Sequence, residues 1–507
     1  MALRVRDAFI YIVLSCMLLI YPLRSLAEEN TGKAPNEKVM SLTLEQGKVL
    51  LLHRNLDIAI QMITPRISEA RIESEKGAFD PELSASLKHE DSTTPLSSRS
   101  SVAAGGRTSV GSESNSLSAG ISGRSPIGTQ YSVDFNDTGT ENTFNDFNAE
   151  HDSFAGITIT QPLLKDFGAG VNLYNITIAQ KNRDISITEL KQHLMDTVTD
   201  YKRAYWDLVQ ALDDLKVKEE AAALAESLLD LSQKRLKAEV ASPLEVTQAE
   251  AGVAMRREDL IVAGKTVKDR ENTLKRLISQ DIYSLRGIEI RPADTPTVAA
   301  VTPDPEESFR EGLENRPDYE KIKTEMDKSD ITVQYAKNRK FPNIDLEASY
   351  GYNGVGSSLG DSTDTMTDNP VWSLGVMVKF PLGNNKAKGD MRAAKLEAEQ
   401  GLLNLKKLEQ DIIVEIDNAI RDLETNKQRI SAAKISTRLA EESLKAEELK
   451  LKEGLSTSHN VLQFQDDLTA AKSREISAVI DYNKSLAELS RVKGVVLKEE
   501  GIDLSGN

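Results

Sequence analysis

The residue types that most often carry out chemistry are few and scattered in this sequence of 507 residues. No histidines have a metal-ligand spacing, and neither a glycine-rich phosphate loop nor a nucleophile elbow is present. The histidines are His53, His89, His151, His193 and His459. The single cysteine, Cys16, lies inside an apolar run. The sequence therefore predicts a protein that is not an enzyme and that has no catalytic residue, cofactor or metal site.

The beginning of the chain predicts export. Two arginines precede an apolar run at residues 8–23, and a small-residue site follows at 25–27. This order is typical of a cleaved signal peptide, here residues 1–27. The run is short for a membrane-spanning helix, and no second apolar stretch of about 20 residues follows. A retained membrane anchor is the competing interpretation.

Internal similarity indicates that one structural unit occurs twice. Leu224-Ala225 recurs as Leu439-Ala440, and Leu236-Lys237 recurs as Leu451-Lys452, both at an offset of 215 residues. Duplication of one unit is the simplest explanation of this recurrence. The two predicted units cover 28–289 and 306–495; a linker with four prolines at 290–305 separates them, and a polar tail follows at 496–507.

Two very long helices are predicted, at 172–239 and 390–453. The first segment has no Gly or Pro and the second has only Gly401, so each helix would be about 100 Å long at 1.5 Å per residue. Apolar residues recur every three or four positions, which is the pattern of coiled-coil-like packing. The breaks at 240–243 and 454–458 are short enough to return the chain as a hairpin. Shorter helices at 42–76 and 306–338 are expected to open the two units.

Alternating apolar and polar residues predict strands at 344–352 and 372–380. This pattern fits a half-buried sheet in a soluble domain, and it also fits a membrane barrel. About two strands per unit cannot close a barrel within one chain, so closure in lipid would require several subunits. Further alternation at 117–121 and 131–135 predicts an extra hairpin in the first unit. The sequence leaves open whether that hairpin enlarges a barrel or forms an external loop.

Several short motifs occur in a characteristic order. Leu42-Thr43-Leu44-Glu45-Gln46 opens a helix, and Gly77-Ala78-Phe79-Asp80-Pro81 precedes the first strand. Gln161-Pro162-Leu163-Leu164 and Phe380-Pro381-Leu382-Gly383 stand before the two long helices. Together with the duplication, this order resembles the TolC-type outer membrane efflux family over residues 42–495.

The resemblance implies an α+β membrane protein built from two internal repeats. Its strands would form one outer-membrane β-barrel in a homotrimer, and its helical hairpins would continue that barrel as a long α-helical barrel in the periplasm. It also implies a passive exit channel of a tripartite efflux or type I secretion system in the cell outer membrane. The partners would be outer-membrane lipid, a periplasmic adaptor and, through the adaptor, an inner-membrane transporter. A periplasmic adaptor or coiled-coil scaffold is the alternative.

The resemblance also suggests candidate sites. The helix breaks would form a periplasmic tip or gate, at Pro243, Glu245, Gly454, Ser456, Asn460 and Gln463. Glu245 falls where the family has an acidic gate residue, whereas Asn460 and Gln463 replace ring-forming aspartates. Pro162 and Pro381 would lie at the junction of barrel and tunnel, because proline lacks an N–H and disfavours helix in the preceding residue.

The chain is acidic, with a formal net charge of −16 at pH 7. Removal of residues 1–27, which carry three arginines and one aspartate, makes this charge −18. No nucleic-acid partner is therefore expected. The acidic side chains either only solvate helix faces or line a channel wall that favours cations. The transported substrate and the particular inner-membrane transporter cannot be inferred from the sequence.

Overall fold

The structure is a computed structural model that describes residues 38–143, 148–298 and 301–503. The predicted signal peptide, the last four residues of the predicted tail and two residues of the predicted linker lie outside these ranges. The described chain consists of long helices that continue into a β-sheet.

The described residues form eight strands in two sheets. The strands are β1 (Lys38–Leu42), β2 (Glu82–Pro95), β3 (Ser109–Arg124), β4 (Gln130–Asn142), β5 (Glu150–Pro162), β6 (Ile288–Pro292), β7 (Asn343–Gly356) and β8 (Pro370–Lys379).

Twelve α-helices accompany the strands in the same ranges. They are α1 (Leu44–Arg54), α2 (Leu56–Lys76), α3 (Ser98–Ala103), α4 (Ala169–Asn172), α5 (Tyr174–Lys237), α6 (Pro243–Ile278), α7 (Pro305–Asn315), α8 (Pro317–Asn338), α9 (Leu359–Asp364), α10 (Asn385–Lys452), α11 (Ser458–Val492) and α12 (Val496–Glu499).

The two long helices and their hairpins agree with the sequence prediction. Helix α5 has 64 residues and α10 has 68, so each is about 100 Å long. Helix α6 packs along α5, and α11 packs along α10. The break between α10 and α11 contains Gly454 with a φ of +75°, a conformation that glycine adopts without strain.

Each predicted opening helix is interrupted in the structure. Between α1 and α2, Asn55 is extended and its side chain accepts a hydrogen bond from the Ile58 N–H (2.9 Å), as a helix cap does. Between α7 and α8, Arg316 is extended because it precedes Pro317. The prediction of single, uninterrupted helices over 42–76 and 306–338 was therefore wrong.

A hydrophobic core holds the middle of the helical part together. Tyr201, Tyr205 and Leu208 of α5 are completely buried there, against residues of α1, α6 and α11. The Tyr201 hydroxyl donates to the Leu44 carbonyl (2.9 Å), and the Tyr205 hydroxyl donates to the Asp294 carboxylate (2.7 Å). The core and these two hydrogen bonds thus fix α5 to the start of α1 and to the segment near residue 294.

The ends of the linker and of the chain join the same core. Strand β6, at the start of the predicted linker, pairs in parallel with β1. In the predicted polar tail, Val496 is buried and Glu500 forms ion pairs with Lys48 (2.9 Å) and Lys202. The tail is therefore packed against α1 and α5.

The larger sheet has six strands in the order β2-β3-β4-β5-β7-β8, and every neighbouring pair is antiparallel. Strands β3 and β4 form the extra hairpin that the sequence predicted. The pairing of β5 with β7 joins strands that lie before and after the first helical hairpin.

Candidate functional site

The six-stranded sheet has one apolar face. Directly opposed residues of neighbouring strands share a face, so the register places a set of large apolar side chains on the same side. They are Leu83, Leu87, Leu117, Ile121, Val133, Phe135, Ile157, Ile159, Leu346, Tyr350, Trp372, Leu374, Val376 and Val378. Many of them are exposed; Leu87 is 84% exposed and Trp372 is 72% exposed.

The opposite face carries mostly hydroxyl, amide and charged side chains. They include Ser84, Ser86, Ser118, Ser122, Ser132, Asp134, Asn136, Thr158, Thr160, Glu347, Ser349 and Ser373. Neighbouring strands exchange hydrogen bonds across this face, as between the hydroxyls of Ser86 and Ser118 (2.7 Å) and of Ser349 and Ser373 (2.7 Å). A face with this chemistry is one that water solvates.

This arrangement suits a sheet that separates an apolar medium from water. Soluble monomers rarely expose apolar patches larger than a few hundred Å². A transmembrane strand needs about 9–11 residues, and the six strands have between 10 and 16. The sheet has the length and the two-faced pattern that membrane strands require.

The two outer strands, β2 and β8, each pair with one neighbour in the described part of the chain. All ten residues of β8 and thirteen of the fourteen residues of β2 are exposed. Free edges of this length invite pairing with another strand. The isolated chain therefore presents two edges that a second copy could complete.

Pro162 and Pro381 lie where strands give way to long helices. Pro162 is the last residue of β5, and Pro381 follows the end of β8 by two residues. Both connections are tied to the end of α8. The side chain of Asn338 accepts from the Asp166 N–H (2.9 Å), and the side chain of Asn384 donates to the Lys340 carbonyl (2.9 Å). The structure thus places both prolines at strand-to-helix connections.

The first helix break contains Pro243 and Glu245. Pro243 is the first residue of α6, and Ser242 caps this helix by accepting a hydrogen bond from the Glu245 N–H (3.3 Å). The Glu245 carboxylate oxygen Oε2 is shielded from solvent and has no hydrogen-bond partner in the part of the chain that the structure describes. The cap thus fixes the backbone at Glu245, whereas the carboxylate oxygen Oε2 is held by no hydrogen bond among the described residues.

The second break contains Gly454 and Ser456; Asn460 lies in the first turn of α11, and Gln463 lies one turn further along. The Asn460 side chain donates to the Ser456 hydroxyl (3.4 Å), and that hydroxyl donates to Glu447 (2.5 Å). Hydrogen bonds from Ser456 and Lys450 hold the pKa of Glu447 below its usual value. Gln463 is exposed. Glu447 thus organises this break, and the sequence analysis did not select it.

The two breaks are joined by contacts that the sequence analysis also missed. The Arg235 guanidinium donates to the Leu451 carbonyl (2.5 Å), and the hydroxyls of Ser232 and Ser458 are 2.9 Å apart. No hydrogen bond joins Glu245 to Ser456 or Asn460 within the described ranges. Local sequence spacing could not have identified these contacts, because they join helices that are far apart in the sequence.

One cluster in the sheet contains a histidine, an aspartate and a serine. Asp137 accepts hydrogen bonds from both the Ser153 hydroxyl (2.6 Å) and His151 (2.9 Å). The histidine contacts the aspartate and not the serine, so this is not the geometry that activates a serine nucleophile. The described residues contain no group of His, Cys, Asp and Glu that could hold a metal ion.

None of the helices in the described ranges combines the length and the apolar composition that a membrane crossing needs. The family model of the outer membrane efflux protein matches residues 49–280 and 309–495, which is most of the chain. The chain belongs to this family. The predicted family and the location in the outer membrane, with a helical periplasmic portion, are therefore confirmed. Members of this family are channels.

Two relatives agree with this assignment. Nodulation protein T of Rhizobium leguminosarum bv. trifolii is 25% identical over 35% of this chain and 38% of its own length. The pyoverdine export outer membrane protein OpmQ of Pseudomonas aeruginosa is 26% identical over 52% of this chain and 55% of its own. The chain thus spans less than two thirds of either relative.

The fold agrees with that of solved outer-membrane channels. The Campylobacter jejuni CmeC outer membrane channel superposes with a TM-score of 0.68 over 96% of this chain and 99% of CmeC, at 15% sequence identity. At this identity the likeness concerns the fold alone. It supports the predicted combination of long helices with a smaller sheet.

Proposed function

We propose that this protein is the passive outer-membrane exit channel of a tripartite efflux or type I secretion system. The observation that carries the proposal is the presence, in one chain, of a two-faced membrane-length sheet and of two helical hairpins whose longer helices are each about 100 Å long. The sheet supplies a wall between lipid and water, and the helices supply a wall long enough to extend away from the membrane.

The free edges of the sheet require other subunits. An open edge in lipid leaves backbone N–H and C=O groups without hydrogen-bond partners. Each unpaired group costs a free energy on the order of several kcal/mol. Three copies, as in a homotrimer, would pair β8 of each chain with β2 of the next. The helical hairpins of the three chains would then surround one tunnel.

The helix breaks would form the end of that tunnel far from the membrane. Helix α5 begins at Tyr174, after the connection that follows Pro162, and ends at Lys237, about 95 Å further along. Pro243, Glu245, Gly454, Ser456, Asn460 and Gln463 would then lie at the periplasmic tip, where a periplasmic adaptor connects the channel with an inner-membrane transporter. Arg235 and Ser232 would hold the two hairpins of each subunit together at this tip.

The central experiment is single-channel recording of the detergent-extracted full chain in a planar lipid bilayer, together with the mass of the oligomer. We expect discrete conductance steps from a trimer. A lumen lined by carboxylates would give a reversal potential that favours cations. A monomer that does not conduct, even with a loosened tip, would support the alternative of an adaptor or coiled-coil scaffold.

A variant at the tip helps to interpret a recording that shows no conductance steps. Arg235→Ala removes the hydrogen bond to the Leu451 carbonyl that joins the two hairpins. We expect a several-fold rise in conductance if the tip restricts the duct. The matched control is Lys234→Ala, because Lys234 pairs with Asp230 on its own helix and does not join the hairpins. Equal conductance in both variants would argue against a restricting role of this contact.

A further inference from the structure

The two halves of the chain contribute unequally to the six-stranded sheet. Four strands, β2 to β5, lie between α2 and α5, whereas only β7 and β8 lie between α8 and α10. The added hairpin, β3 and β4, is not an external loop, because it occupies the sheet between β2 and β5. In the described part of the chain, β3 is the neighbour that pairs with β2.

At the level of Leu83, the added strands continue the apolar face from β2 to β5. Ile121 of β3 is opposite Leu83 of β2 and also opposite Val133 of β4. Val133 in turn is opposite Ile157 of β5. With 16 residues in β3 and 13 in β4, both strands exceed the roughly 9–11 residues that cross a bilayer. Their length and face match those of the strands around them.

The connections at the two ends of the sheet also fit a membrane position for this hairpin. A short turn joins β3 to β4, with Gly128 at a φ of +98° and a hydrogen bond from the Ser125 N–H to the Thr129 carbonyl (2.8 Å). The Gly168 N–H donates to the Ile127 carbonyl (3.0 Å), so the turn lies beside the strand-to-helix connection. The connections at the other end, 96–108 and 357–369, are longer. Outer-membrane barrels have this asymmetry, with short periplasmic turns and long external loops.

We propose that every subunit inserts six strands into the outer membrane, so that the trimer closes an eighteen-stranded barrel. This inference rests on the proposed function. Strand β2 leads away from the helices and β8 leads back toward them, so β8 of one subunit meets β2 of the next in the antiparallel direction. The interaction surface is therefore the pair of free edges, and its partner is a second copy of this chain.

Strand number sets the width of the exit. With neighbouring strands about 4.8 Å apart and tilted by about 40°, each strand occupies about 6 Å of circumference. Eighteen strands give a backbone diameter of about 36 Å, whereas twelve would give about 24 Å. Barrels of 16–18 strands leave an aqueous channel, so the barrel would not be the narrowest part of the duct.

Single-particle electron cryomicroscopy of the detergent-extracted full chain tests the inference directly. The expected result is a closed ring of eighteen strands with a backbone diameter of about 36 Å. A twelve-stranded ring with β3 and β4 outside it would overturn the inference and leave the exit channel standing. The absence of any closed ring would instead overturn the proposed function.

Disulfide trapping provides a second measurement that does not depend on imaging. In a Cys16→Ser background, Ser84→Cys on β2 is combined in turn with cysteines at the polar-face positions of β8. These positions are Val371, Ser373, Gly375, Met377 and Lys379. We expect at least one pair to link subunits into covalent oligomers, seen as a ladder on a non-reducing gel.

The control pair separates the two possible barrels. Ser84 and Thr158 share the polar face, but β3 and β4 lie between their strands. A cysteine pair at these two positions should not form a disulfide within one chain. Efficient formation of that bond would show that β2 pairs with β5, and it would overturn the inference.

Discussion

The helical part and the six-stranded sheet of this protein obtain their stability in different ways. The large side chains that the described residues bury completely include Tyr201, Leu208 and Ile412, and all of them lie in the helices or in β1 and β6. None lies in the six-stranded sheet. The helices thus have a core within one chain, whereas the sheet leaves its apolar face exposed to its surroundings. One chain can therefore stabilise the helical part, whereas in the proposed channel the sheet would depend on lipid and on other subunits.

The first prediction concerns the helical core and has the largest expected effect. Leu208→Ala removes a completely buried side chain and leaves a cavity, so it should lower the free energy of unfolding by about 2–5 kcal/mol. Urea unfolding of the detergent-extracted protein, followed by far-ultraviolet circular dichroism, measures this loss. The matched control is Ile187→Ala on the same helix, where the side chain is 37% exposed and the loss should stay below about 1 kcal/mol. Equal losses would mean that the core does not dominate the stability of the helices.

The second prediction concerns the apolar face of the sheet. Leu374→Arg should destabilise the membrane-inserted sheet by about 2–4 kcal/mol, because it places a charge against lipid. Ser373→Arg, the neighbouring residue on the polar face, is the control and should have a much smaller effect. The trimer fraction on a native gel and the conductance in a planar bilayer should fall for Leu374→Arg, while the helical circular dichroism is kept. A larger effect of Ser373→Arg would assign the two faces in the opposite way.

The third prediction concerns the ion pairs of Glu500, near the end of the chain, with Lys48 and Lys202. Burial alone would raise the pKa of Glu500, but hydrogen bonds from Lys202 and Lys48 outweigh burial and hold this pKa below its usual value. Stability from this carboxylate is therefore complete above the ordinary glutamate pKa, and it is lost as the pH falls through the lowered folded-state pKa. Glu500→Gln should cost about 1–3 kcal/mol at pH 7 and less at pH 3.

Thermal unfolding at several pH values measures this difference. Glu499→Gln, a change at the exposed neighbour, is the control and should alter stability little at any of these pH values. If the gap between the Glu500→Gln variant and the unchanged protein stays constant from pH 7 to pH 3, the ion pairs with Lys48 and Lys202 do not contribute as described.

The contrast between helices and sheet also explains which parts of the structure could be predicted from the sequence. The long hairpins were predictable, because apolar residues at helical spacing run without interruption up to breaks such as Gly454. The pairing of β1 with β6 was not, since it joins Met40 to Ile290 across the whole first half of the chain. Alternation at Ile288 and Ile290 was the only available signal, and the prolines after it favoured a linker instead.

In the sheet, the hairpin of β3 and β4 was predicted but its place was not. Alternation reveals strands and not their neighbours, so only the pairing of Leu83 with Ile121 decided between sheet and loop. At the helix breaks, the sequence correctly located Pro243 and Gly454, which change the backbone. It missed Glu447 and Arg235, whose contacts depend on how the chain packs in three dimensions. The roles of the tip residues in gating stay a prediction.

The pairing of β5 with β7 has a consequence for the order in which the molecule is made. The two strands are adjacent in the sheet, yet residues 163–342 separate them along the chain. Contacts across such a long loop form late, because the entropy lost on closing the loop must be compensated first. Helical hairpins, which are local, can form while the chain is still emerging. The six-stranded sheet cannot be completed until the second half has been delivered, so each newly exported subunit must pass through a stage in which β5 is present but its partner β7 is not.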